Sequence, residues 1–94
     1  KQMTTTYKQT DNGFMICDEN GENIHFASPL MCHTEEKAME VARIINTYEI
    51  LEANVKTRFK SPEYTSEKYQ KAMQIQWGYY YEHYDILSKV GDNL

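Results

Sequence analysis

Residues 14–27 read Phe14-Met15-Ile16-Cys17-Asp18-Glu19-Asn20-Gly21-Glu22-Asn23-Ile24-His25-Phe26-Ala27, and this stretch decides between a purely helical chain and one that contains a sheet. Phe14 to Cys17 and Ile24 to Ala27 flank the polar segment Asp18 to Glu22, which has the composition of a hairpin turn. Two registers compete. A two-residue Asn20-Gly21 loop pairs Cys17 with Ile24 and Met15 with Phe26. A type I turn with Gly21 in the left-handed bulge position pairs Ile16 with Ile24 and Phe14 with Phe26. The second register gathers four large apolar residues on one face, whereas a one-residue slip sends half of them to the other side, so it is preferred.

Outward from the hairpin, Thr4 to Thr10 (Thr-Thr-Thr-Tyr-Lys-Gln-Thr) favours an extended strand with a mostly polar face, the composition of a sheet edge, and Asp11-Asn12-Gly13 turns the chain. Ser28-Pro29 ends the second hairpin strand, because proline removes a ladder donor and restricts the residue before it. Thr34 is placed to cap a helix, with Glu35 and Glu36 in the first turn, where carboxylates favour the positive end of the helix dipole. Ala38, Val41, Ala42, Ile45, Tyr48, Leu51 and Val55 follow helical spacing and predict a helix to about Thr57, with Arg58 to Lys60 at its end. A second helix starts at Ser61-Pro62-Glu63 or is capped by Thr65 or Ser66, and closes at Gly91. The expected fold is α+β: a three-stranded antiparallel sheet followed by two long packed helices, one domain over residues 1–94.

The second helix carries more apolar surface than its own domain needs. Residues 69–90 contain Trp77 and, within six residues, the four tyrosines Tyr79, Tyr80, Tyr81 and Tyr84. Read as one helix, the apolar arc runs through Ile75, Ile86, Tyr79, Ala72, Val90, Tyr69, Leu87, Tyr80, Met73, Tyr84 and Trp77, about 200° where a core-facing stripe needs about 100°. The stripe Tyr69, Met73, Trp77, Tyr80, Tyr84 and Leu87 is assigned to the first helix. The stripe Ile75, Tyr79, Ile86 and Val90 is left for a second copy across a twofold axis or for the sheet folded over both helices. Tyr81 lies near the polar side, and His83 and Gln76 sit inside the arc, where each needs a partner if buried. Tyrosine and tryptophan supply large, rigid contact area with a polar tip, so the candidate partner-binding residues are Tyr79, Tyr81, Ile75, Ile86, His83 and Trp77, with Trp77 shared with the helix–helix stripe.

Composition bounds the function. A 94-residue chain buries only about 60–65% of the surface its unfolded form exposes, so oligomerisation would help its stability. A net charge of −4 supplies no basic stripe for phosphate contacts and speaks against direct nucleic-acid binding. No apolar run approaches a membrane span, and no signal-peptide pattern is visible, so the expected compartment is cytoplasmic. Cys17 and Cys32 are read as reduced thiols, and Cys17, His25, Cys32 and His33 fit no zinc framework. A nucleophile with its base, a phosphate-cradling glycine loop and a dinucleotide fingerprint are all missing, so neither an enzyme nor a cofactor is expected.

The hairpin with its Asp18 to Gly21 turn leads into Thr34-Glu35-Glu36-Lys37-Ala38, then Ala42-Arg43-Ile44-Ile45-Asn46 and Tyr48-Glu49-Ile50-Leu51-Glu52-Ala53. In this segment, under half of the chain, the sequence resembles a type of small accessory protein encoded in phage and prophage genomes. The resemblance implies a nonessential protein of the infected host cell's cytoplasm that binds and blocks a host protein, for example a defence enzyme in the manner of an anti-CRISPR. The aromatic helix lies outside the resemblance, so no functional residue is carried over. Two alternatives stand beside it: an oligomer that sequesters a nucleotide second messenger between subunits, and a structural or regulatory homodimer. Lys68, Lys71 and Lys89 fall mainly on the polar side of the aromatic helix, away from the rings, which favours a protein partner over a nucleotide.

Overall fold

The computed structural model describes residues 4–24, 28–60 and 65–91. Strand β1 (Thr5–Thr10) pairs antiparallel with β2 (Gly13–Asp18), from Thr10 opposite Gly13 to Thr5 opposite Asp18. Gly13 sits at φ +132°, and a Cβ there would lie 2.6 Å from the Cys32 carbonyl oxygen. Only glycine meets both demands. The next turn has the form expected from its side chains. The Asp18 carbonyl accepts from the Gly21 N–H (3.0 Å), its carboxylate accepts from the Asn20 and Glu22 N–H groups (2.8 and 3.0 Å), and Gly21 adopts φ +80°. Cys17 bridges Asn23 in the preferred register.

That register then ends, which corrects the expected second hairpin strand. Strand β3 is Met31–Cys32, with Phe14 opposite Cys32 and Met15 opposite Met31, and the Ile16 N–H donates to the Leu30 carbonyl (2.9 Å). The expected Ile16–Ile24 pair is therefore replaced, and Phe14 pairs with Cys32; the expected partner Phe26, with His25 and Ala27, lies outside the described residues. Both Ile24 and Leu30 pack against the core, so the alternation of apolar residues was satisfied by either run and could not choose between them. β1 is a sheet edge, as its polar composition predicts.

Helix α1 (Glu35–Phe59) begins where the sequence places it. Thr34 Oγ1 accepts from the Lys37 N–H (3.1 Å). Ala38, Val41, Ala42, Ile45 and Val55 are buried and Tyr48 and Leu51 half-buried, so the predicted stripe holds along the helix, which ends two residues later than expected. Its Asn46 fastens the sheet edge: Oδ1 accepts from the Thr5 N–H (2.8 Å) and Nδ2 donates to the Thr5 carbonyl (2.9 Å).

The expected single C-terminal helix is two. Helix α2 (Ser66–Glu82) is capped by Thr65, and α3 (Tyr84–Gly91) follows a break at His83 (φ −116°, ψ 32°). The His83 N–H still closes α2 on the Tyr79 carbonyl (3.1 Å), while its own carbonyl opens α3 by accepting from Ile86 and Leu87 (3.1 and 3.0 Å). The break re-aims only Tyr84, Ile86, Leu87 and Val90, since both ends of the wide apolar arc, Ile75 and Trp77, lie in α2, and both helices pack on α1. The core joins Ile16 and Cys32 of the sheet, Ala38, Val41, Ile44 and Ile45 of α1, and Leu87 and Val90 of α3. α1 is thus the central element, with the sheet and the α2–α3 pair both packed against it. No helix among the described residues is long and apolar enough to cross a membrane.

Candidate functional site

The inner side of α2 is built by half-buried Tyr69, Ala72, Met73, Tyr79 and Tyr80 around buried Gln76. Gln76 Nε2 donates to the Tyr48 hydroxyl (3.3 Å), the partner its burial requires. Tyr79 packs against the core, its hydroxyl donates to the Ile44 carbonyl (3.4 Å), and its ring meets that of His83 (4.6 Å between centroids). Ile86 also packs against the core, and Val90 is within it. The stripe left for a second copy or for the sheet is therefore turned mostly onto α1 of its own chain, and Ile75 alone of that stripe is exposed. Ile44, which the predicted α1 stripe omits, is buried in the same core, and its carbonyl accepts the Tyr79 hydroxyl.

The outer side reverses the expectation for Trp77. Trp77 is 50% exposed, Tyr81 62%, Tyr84 52% and Ile75 57%. Trp77 belongs to the surface where the core stripe was expected to bury it, and Tyr84 is a surface residue that the reading as a single helix missed. The rings form a continuous assembly: Tyr48 to Tyr80 (5.6 Å), Tyr80 to Tyr81 (5.7 Å, edge-on) and to Tyr84 (5.7 Å, edge-on), and Tyr81 to Trp77 (5.9 Å). Edge-to-face contact sets Tyr81 and Tyr84 against Tyr80, which is packed on the core, while Trp77 meets Tyr81 at a tilt of 47°. Of the six predicted partner-binding residues, the structure brings Trp77 and Tyr81 together on the surface, leaves Ile75 on α2 as a separate exposed residue, and sets Tyr79, His83 and Ile86 along the inner seam.

A cavity of about 160 Å³ lies at the α2–α3 break, lined by Tyr81, Glu82, His83, Tyr84, Asp85 and Ile86. It is smaller than the usual 300–1,000 Å³ of small-molecule sites, and its charged side chains are carboxylates. Among the described residues no group of three or more histidine, cysteine, aspartate or glutamate side chains is placed to hold a metal ion. Cys17 and Cys32 are free and buried, and desolvation pushes both thiols above their ordinary pKa, Lys8 and Lys37 opposing it only in part. Such thiols pack as small apolar groups. No protein-family model matches the chain, and no curated protein and no solved structure matches it.

Proposed function

We propose that the protein is a non-enzymatic binding protein whose α2–α3 surface captures another protein and blocks it, the target being a host protein in a phage-infected cell. One observation carries this reading: Trp77, Tyr81 and Tyr84 are each at least half exposed, and each ring is in contact with a neighbouring aromatic. Pre-oriented aromatic rings lose little conformational freedom on binding and bury large areas, which is the make-up of a protein-binding hot spot. The carboxylates at the α2–α3 cleft offer phosphate groups no counter-charge, so a protein target is preferred to a nucleotide.

The pair Trp77→Ala and Tyr84→Ala separates binding from folding. Both residues are half-exposed, so the double variant retains thermal stability within about 1 kcal/mol of the parent. Capture of the target is predicted to fall by at least tenfold. Tyr79→Ala behaves differently, because it removes a ring packed on the core and costs folding stability. A double variant that loses folding and capture to the same degree would remove the basis for the proposed surface.

A further inference from the structure

Gly78 stands inside α2, one turn before its last residue Glu82, where glycine weakens a helix relative to any ordinary residue. Its own chain gives no reason for it: φ is not positive, and a Cβ added there meets nothing within 4 Å. Glycine at an exposed position inside a helix does permit one thing that a side chain prevents, the close approach of another backbone. The surroundings are suited to that approach. Ile75 and Tyr81, the two most exposed large apolar side chains of α2, lie three residues to either side of Gly78, and Gln74 lies four residues before it.

We infer that α2 is a self-association surface on which a second copy of this chain packs antiparallel, with the twofold axis at Gly78. Charge complementarity singles out this occupant. Lys71 and Glu82 are both exposed on the Gly78 side of α2, and neither is in an ion pair among the described residues. Antiparallel pairing about Gly78 sets each Lys71 within about 5 Å, along the helix axis, of the partner's Glu82, so two opposite-charge pairs form across the seam. Parallel pairing would instead align each of these charges with its own copy. Trp77 and Tyr81 project on one flank of the seam, and a twofold axis perpendicular to the helices carries both copies of that flank to the same side of the dimer. The aromatic surface is thereby doubled, with Tyr81 common to seam and surface.

Light scattering across a concentration series of the full chain tests the inference. The parent is expected to reach twice the mass of one chain. Gly78→Leu is expected to raise the dimer dissociation constant at least tenfold while dilute protein keeps or gains helix content and melting temperature, because leucine favours the helix over glycine. Lys71→Glu weakens the dimer several-fold, and Lys71→Glu combined with Glu82→Lys recovers it. A parent that remains monomeric throughout the series overturns the inference, as does a Gly78→Leu variant that dimerises unchanged. Target capture that still depends on Trp77 and Tyr84 in a monomeric parent would leave the proposed function standing while the dimer falls.

Discussion

Asn46 shows how much one side chain can hold. Its amide satisfies both backbone groups of Thr5, one of the few polar residues to be buried, and so ties the free edge of β1 to the middle of α1. Asn46→Ala leaves that donor and acceptor without partners and is predicted to lower unfolding free energy by about 1–3 kcal/mol in denaturant titration. An unchanged midpoint and slope would mean that water replaces the amide at no cost. Glu49 makes the opposite demand. It is half-buried, and desolvation, aided by Glu52, raises its pKa above the ordinary 4.5. The folded state therefore favours the protonated acid, and stability is lost as pH rises through the folded-state pKa. Glu49→Gln is predicted to raise the melting temperature at pH 7, with the gain vanishing below the ordinary carboxylate range. A gain that persists unchanged at low pH would assign it to packing instead. Neither role was visible in the sequence, since a helical asparagine and a helical glutamate look alike whether buried or solvated.

At the scale of elements, the cap at Thr34 was the most legible feature, because it acts through a hydrogen bond to a residue only three positions away, whereas Thr65, which acts in the same way, was one of three starts the sequence left open. Helix α1 was legible because Ala38, Val41, Ala42, Ile45 and Val55 recur at helical spacing whichever element they pack on. The sheet was legible in its first strand and both turns, and the Met31–Cys32 strand was not, because its pairing with β2 depends on contacts distant in sequence. Gly13 belongs to that choice. Its missing Cβ makes room for the Cys32 carbonyl, so Gly13→Ala combines a strained φ with a backbone clash and should cost about 1–3 kcal/mol, with the β2–β3 pairing the first to weaken in amide exchange. Protection of Met31 and Cys32 as in the parent would contradict that. The break at His83 left no local signature: histidine has no special bar to helix continuation, and the width of the apolar arc is set by Ile75 and Trp77, both before the break.

For the whole molecule, α1 serves two partners, so the sheet and the α2–α3 pair need not touch for the core to be continuous. That arrangement leaves the far side of α2 without an intrachain role, and there the sequence had read an excess of apolar surface correctly while misplacing its residues. The break at His83 re-aims Tyr84 and Ile86, whereas Trp77, one of the six candidates, and Tyr79 share unbroken α2 and differ only in which edge of the arc meets α1. What remains outside is a row of oriented rings that contributes little to stability and a great deal of bindable area. The most direct measurement is parallel capture from host lysate by the immobilised parent and by the Trp77→Ala/Tyr84→Ala variant, both shown to be folded by their melting curves. A discrete host protein retained by the parent and lost from the variant is the predicted result. An identical set of proteins on both, or none on either, would contradict the claim that this surface exists to bind.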